Sequence, residues 1–124
     1  MYDKMLVLDG LYDIEEALQQ VVERTAWIKK ADDFAKTPEG VDLLDIATIK
    51  LMAVGEEVKK INKRTDGQLL SQYPNTDWRK IMDLRNFIAH EYFHVDAHDI
   101  FDTVQNDVPP LLETIQKMIA QLTI

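Results

Sequence analysis

Apolar residues recur along the chain at alternating steps of three and four positions. Three long stretches show this spacing, at residues 11–28, 44–61 and 108–122, and a shorter one lies at 81–88. The spacing keeps apolar side chains on one face of an α-helix with about 3.6 residues per turn. No stretch alternates for long with the period of two that is typical of a half-buried strand. The pattern therefore predicts helices that pack along apolar seams.

Glycine and proline occur where one helical stretch gives way to the next. Four segments carry these turn-forming residues: TPEG (37–40), TDGQ (65–68), QYPNTD (72–77) and NDVPP (106–110). Three aspartates precede predicted helices and are candidate N-caps: Asp77, Asp96 and Asp107. We therefore predict one all-α domain over residues 1–124, an antiparallel up-and-down bundle of four to five helices.

Two glycines lie inside helical stretches. Gly10 and Gly55 each cost about 1 kcal/mol relative to alanine at an ordinary helix position. A close crossing with another helix would explain such a glycine, and simple tolerance would explain it as well.

Length and composition fit a globular domain. The chain has 124 residues, of which 46% are apolar and 29% charged, which is enough to build a core. It contains no cysteine, which excludes disulfides and thiolate zinc sites. No apolar run approaches the roughly 20 residues of a membrane span, and no charged-then-apolar leader is present. We therefore expect a cytoplasmic protein that does not contact a membrane.

The net charge of −8 is unevenly distributed. Residues 1–49 contribute −6 and residues 86–124 contribute −5, whereas residues 50–85 contribute +3. A basic middle is compatible with a local anion site on an acidic body. The same stretch, EEVKKINKR, also fits a solvated helix face supported by a Glu56–Lys60 pair.

The run RNFIAHEYFH contains two overlapping patterns, and one of them is that of a zinc peptidase helix. In H-E-x-x-H, His90 and His94 would bind zinc and Glu91 would act as a base. Such a site needs a third protein ligand, and His98 follows Asp96, where a new helix is expected to begin. A peptidase also needs a groove for an extended chain, commonly beside a strand edge, and no strand is predicted. We therefore expect no metal.

The other pattern, R-N-x3-H-x-Y, begins at Arg85 and needs no metal. On a helix, Asn86 and His90 lie one turn apart and almost opposite the apolar stripe, and Arg85 lies to one side of it. The core therefore does not require Arg85, Asn86 or His90. Met82 and Phe93 are expected on the same outward face. Apolar residues there suggest a surface covered by a partner or a second copy, although scattered surface apolar residues are also normal.

Each residue of this pattern also has a structural explanation. Arg85 could form a surface ion pair with Asp83 or Asp96. His90 could be a helix-end histidine that the helix dipole favours. Tyr92 could close the end of the bundle, because its angle lies close to the core stripe.

The block YPNTDWRKIMDLRNFIAHEYFHVD resembles the HEPN superfamily, and closely its HepT-like branch, the toxin half of MNT–HEPN toxin–antitoxin systems. VGEEVKKI and VPPLLETIQ extend the resemblance over nearly the whole chain. It implies a metal-independent endoribonuclease that needs no cofactor and acts as a homodimer, with Arg85, Asn86 and His90 as catalytic residues. RNA, not DNA, would be the substrate. A nucleotidyltransferase antitoxin of the MNT type would bind this protein and neutralise it by transferring AMP to Tyr92.

These residue types suit cleavage of RNA through its own 2′-OH. Histidine titrates near neutrality and can remove or deliver a proton, a contribution of roughly 10²–10⁴ in rate. Arginine offers a fork of donors to a phosphate whose charge is rising. Asn86 could orient the imidazole or bind the phosphate. One chain supplies one His90 and one Arg85, so two copies around a two-fold axis would bring both pairs into one cleft.

A second hypothesis assigns the chain no catalysis. A helical subunit could bind a minimal nucleotidyltransferase, or a nucleotide, and position it. The acidic surface and the lack of an obvious RNA-binding stripe favour this alternative.

Overall fold

The computed structural model describes residues 2–90 and 95–124, and of residues 89 and 90 it describes the backbone alone. Most of the described residues belong to five α-helices: α1 (Lys4–Arg24), α2 (Pro38–Arg64), α3 (Trp78–His90), α4 (Ala97–Asp102) and α5 (Val108–Leu122). Shorter helical turns complete them: Ala31–Phe34, Leu70–Gln72 and the π-helical Thr103–Asp107. The predicted all-α bundle is confirmed. None of the described helices is long and apolar enough to cross a membrane.

One hydrophobic cluster joins the helices. Helix α1 packs on α2 and α5, and α2 packs on α3. Helices α1 and α2 run antiparallel, because Lys50 donates to Gln20 at one end and Gly10 approaches Ile61 at the other. The positions that the apolar spacing predicted are buried, among them Leu11, Ile14, Leu18, Val21, Leu51, Val54, Val58, Ile88, Leu111, Ile115 and Met118. Each such side chain stabilises the fold by about 1.5–3 kcal/mol.

Side-chain caps define where several helices begin. Asp77 Oδ1 accepts a hydrogen bond from the backbone N–H of Lys80 at 3.1 Å. Asp96 Oδ1 accepts one from the backbone N–H of His98 at 2.8 Å. Both predicted caps are confirmed, and a cap of this kind is worth about 1 kcal/mol. The segment TPEG begins α2, because Thr37 accepts from the Gly40 N–H and Pro38 fits the first helical turn.

The predicted break at NDVPP (106–110) is wrong. The chain passes from α4 through the π-helical turn into α5 without leaving a helical conformation. The two prolines are tolerated because they lie in the first turn of α5, where no backbone N–H is needed. Asp107 is itself helical and makes no capping hydrogen bond. Its carboxylate instead binds Lys80 Nζ at 2.8 Å, and that hydrogen bond raises the pKa of Lys80.

Gly55 marks a close approach of α2 and α3. A methyl group on Gly55 would lie 2.8 Å from the carbonyl oxygen of Ile81 and 3.4 Å from Cβ of Leu84. A backbone oxygen cannot yield unless its helix moves, so this crossing requires glycine. Gly10 differs, because a methyl group there would first meet Glu57 Oε1, at the end of a flexible side chain. The close-crossing explanation therefore holds for Gly55.

Gly55→Ala is expected to lower the free energy of unfolding by about 1–2 kcal/mol. The gain in helix propensity, about 1 kcal/mol, is smaller than the cost of forcing two backbones apart. Urea denaturation measures the change, with Gly10→Ala as the matched helical control, expected to lie within about 1 kcal/mol of the wild type. A Gly55→Ala protein as stable as the wild type would contradict the close approach.

Candidate functional site

The packing of α3 against the core determines which of its residues face outward. The Asp77 cap begins the helix, and the Trp78 indole N–H donates to the carbonyl oxygen of Tyr73 at 2.9 Å. The core face of α3 consists of four buried residues: Trp78, Ile81, Leu84 and Ile88. With that face buried, Arg85 and Asn86 are exposed. The prediction that the core does not require these two residues is confirmed.

The other residues of the pattern lie partly outside the described chain. The α3 backbone extends to His90, so position 90 follows Asn86 by about one helical turn. The side chain of His90 is not described, and Tyr92 lies outside the described residues, as does most of the H-E-x-x-H pattern. Of the four predicted site residues, the described side chains are therefore Arg85 and Asn86, neighbours on the exposed side of α3.

Arg85 contacts a residue that the sequence did not indicate. Its Nε lies 3.7 Å from Glu56 Oε1 on α2, whereas the predicted partners were Asp83 and Asp96. The predicted Glu56–Lys60 pair is also wrong, because Lys60 Nζ lies 4.0 Å from the next glutamate along α2. The contact engages Nε, and neither Nη group of Arg85 has a hydrogen-bond partner among the described residues. These Nη groups are the fork that suits a phosphate.

Helical geometry keeps Arg85 and position 90 on different sides of α3. Five residues correspond to about 140° around the axis and about 7.5 Å along it. The helix of one chain therefore does not by itself bring residues 85 and 90 to one point.

A cavity of about 440 Å³ lies beside α3 on the opposite side of the core stripe from Arg85. Leu84, Phe87 and Lys80 contribute to its wall. Four carboxylates also line it: Asp83, Asp99, Asp102 and Asp107. The charge of Lys80 is already offset by Asp107, so this cavity disfavours RNA phosphates. Within the described part of the chain, no group of three or more His, Asp or Glu side chains could hold a metal ion.

The apolar part of the outward face differs from the prediction. Met82 is half-buried and packs against the core cluster, and Phe93 lies outside the described residues. Exposed apolar residues on these two helices include Ile49 on α2, 55% exposed, and Phe87 on α3, which is 54% exposed and lines the acidic cavity.

The contact between Glu56 and Arg85 was not predicted, because the two residues lie on different helices and the spacing of residues within one helix does not reveal contacts with another. One signal was available. Gly55, inside a helical pattern, marked a possible crossing, and the charged residue next to a crossing can reach the other helix.

Comparisons with known proteins agree with the predicted resemblance. The sequence model of the family described as "Ribonuclease HepT-like" matches residues 14–118. "Putative RNase MJ1216" of Methanocaldococcus jannaschii is 25% identical over 118 residues, which cover 90% of this chain and 86% of that protein. "Probable ribonuclease HepT" of Thermococcus cleftensis is 29% identical over 110 residues, which cover 89% of this chain and 93% of that protein. No solved structure matches this chain.

The matched region contains most of the fold and the whole candidate site. It extends from the middle of α1 into α5 and includes the crossing at Gly55 as well as Arg85, Asn86 and His90. Because the family model matches far more than half of the chain, the protein belongs to the HepT-like ribonuclease family.

Proposed function

We propose that this protein is a metal-independent endoribonuclease that acts as a homodimer and is the toxin of a toxin–antitoxin pair. Membership of the HepT-like family supports ribonuclease activity. The proposal rests mainly on Arg85 and Asn86, which are exposed on α3 and do not contribute to the hydrophobic core. Exposed residues of these types are suited to binding and cleaving a phosphodiester.

In the proposed reaction, one His90 removes the proton from a 2′-OH of the RNA. The 2′-oxygen attacks the adjacent phosphorus, and the bond from phosphorus to the 5′-oxygen breaks. The His90 of a second copy gives its proton to that departing oxygen, leaving a 2′,3′-cyclic phosphate and a 5′-OH. Arg85 neutralises the charge that gathers on the phosphate oxygens, and Asn86 orients the imidazole or binds the phosphate. DNA lacks the 2′-OH and is not cleaved.

The geometry of α3 supports the proposal of a second copy. Since residues 85 and 90 lie about 140° apart around one helix, a guanidinium from one copy and an imidazole from the other can meet more readily across a two-fold axis. Ile49 supports such an interface, because this apolar residue is more than half exposed on α2.

Electrostatics would confine RNA to this cleft. The chain carries a net charge of −8, and the cavity on the other side of α3 is lined by carboxylates. Attraction to RNA therefore depends on a few phosphate contacts made by Arg85 and its equivalent in the second copy. Binding through such contacts weakens as salt is added, in proportion to the number of phosphates that are neutralised.

Tyr92 is the proposed control point. A nucleotidyltransferase of the MNT type would join the Tyr92 oxygen to the α-phosphorus of ATP, with release of pyrophosphate and of the hydroxyl proton. The product carries a phosphodiester charge and a bulky adenosine two residues after His90. Repulsion and steric occlusion would together keep RNA phosphates out of the cleft.

A non-catalytic subunit that binds a nucleotidyltransferase remains the second candidate. The acidic cavity beside α3 favours it, since such a surface suits a basic protein partner better than RNA.

The purified protein is expected to cut single-stranded RNA in the presence of EDTA and to leave 2′,3′-cyclic phosphate ends. His90→Ala removes both proton-transfer groups of the dimer and should lower the rate at least about 100-fold. Arg85→Ala should lower it by about 10²–10³. Gel analysis of end-labelled RNA measures both effects.

Lys117→Ala is the matched control, because Lys117 is an exposed cation on α5 that pairs with Glu113 alone among the described residues. Its rate should equal that of the wild type. Full activity in His90→Ala would refute the proposed ribonuclease. Loss of activity in EDTA, together with bound zinc in untreated protein, would support the H-E-x-x-H pattern instead.

Tyr92→Phe is expected to cut RNA but to escape neutralisation by a nucleotidyltransferase of the MNT type. Incubation with that enzyme and ATP should add the mass of one AMP to the wild type, and none to the variant. Tyr12→Phe, which alters another exposed tyrosine, serves as control and should be modified like the wild type. AMP found on the Tyr92→Phe protein would show that another residue is the acceptor.

A further inference from the structure

We propose that Glu56 is a positioning residue, which holds Arg85 through Nε and thereby orients the Nη fork toward the scissile phosphate. This inference rests on the proposed ribonuclease function and adds a residue of α2 to a site otherwise built from α3.

The contact between the two side chains is set by the helix crossing. A methyl group on Gly55 would lie 3.5 Å from the backbone nitrogen of Arg85, so these two backbones are nearly in contact. Glu56 is the next residue on α2, and its Oε1 lies 3.7 Å from Arg85 Nε. Two rigid helices therefore bring the carboxylate to the guanidinium, and no loop is needed to place either residue.

The Glu56 side chain is 41% exposed, but its Oε1 atom is buried and has no hydrogen-bond partner among the described residues. A buried carboxylate oxygen without a donor is costly, and the Arg85 guanidinium is the described cation beside it. At 3.7 Å the two groups form an ion pair but not a hydrogen bond. A guanidinium rotation that shortens the distance by about 0.8 Å would give the charge-assisted hydrogen bond that this oxygen lacks.

A hydrogen bond at Nε has a particular consequence for phosphate binding. It fixes the plane of the guanidinium and leaves the edge formed by the two Nη groups for bidentate contact with a phosphate. The same carboxylate reduces the net positive charge near the bound RNA. Glu56 should therefore favour the oriented transition state more than the binding of substrate, so its loss should lower kcat without raising KM.

Glu56→Ala and Glu56→Gln test this in the full-length dimer. The alanine variant should lose about 10-fold or more in kcat, and the glutamine variant less, because its amide oxygen still accepts a hydrogen bond from Nε. KM should stay unchanged or fall in both. Glu56→Asp keeps the charge but shortens the reach, so it should also lose kcat, which separates positioning from charge.

Glu113→Gln is the matched control, since Glu113 forms an exposed ion pair with Lys117 on α5. Its kinetics should equal those of the wild type. The Arg85 and Glu56 side chains as a whole are 51% and 41% exposed, and ion pairs between such side chains add little to stability. Thermal unfolding of the Glu56 variants should therefore stay close to that of the wild type. Unchanged or increased kcat in Glu56→Ala would overturn the inference, and an increase would show that the carboxylate competes with phosphate for Arg85.

A second readout needs no enzyme activity. The ¹⁵Nε–H resonance of Arg85, assigned by its loss in Arg85→Lys, should exchange slowly with water in the wild type. In Glu56→Gln exchange should be faster, and in Glu56→Ala faster still. Equal exchange rates in all three proteins would overturn the inference even if the ribonuclease is active. Slow exchange that depends on Glu56, in a wild-type protein that does not cut RNA, would refute the proposed ribonuclease function. The contact between Glu56 and Arg85 Nε would still be supported.

Discussion

The close crossing of α2 and α3 at Gly55 is the constraint on which the candidate site depends. A methyl group on Gly55 would lie 2.8 Å from the carbonyl oxygen of Ile81, so the two helices approach too closely to admit a side chain at this position. The buried residues of α3 then fix which side of that helix faces outward, and Arg85 emerges beside Glu56. A glycine that looks like a defect in a helix thus determines where a guanidinium is placed, one helix away.

Much of the fold was predictable, because the spacing of apolar residues shows which face of each helix packs against the core. The seams along α1, α2, α3 and α5 are buried as the spacing requires, and Asp77 and Asp96 cap helices as expected. The error at NDVPP has a physical cause. Proline interrupts a helix interior but not a first turn, and a π-helical turn such as Thr103–Asp107 has no simple sequence signature.

The candidate site was predictable in its residue types but not in its contacts. Arg85 and Asn86 could be placed off the core by helical angles alone, because that requires one helix. The ion pair of Arg85 with Glu56 depends on how two helices cross, and the sequence within either helix does not contain this information. The acidic cavity beside Leu84 likewise arises from residues on α3, α4 and the π-helical turn, whose proximity follows from packing.

In the proposed dimer, the two copies each contribute His90 to one cleft. A heterodimer of one wild-type chain and one His90→Ala chain, purified through two different affinity tags, tests this most directly. The attacking 2′-oxygen and the departing 5′-oxygen lie on opposite sides of the phosphorus, so one imidazole cannot serve both in the same displacement. The RNA-cleaving rate of the heterodimer should therefore fall to a small fraction of that of an equally tagged wild-type dimer. A heterodimer with half of the wild-type rate would show that each chain works alone and would contradict the account.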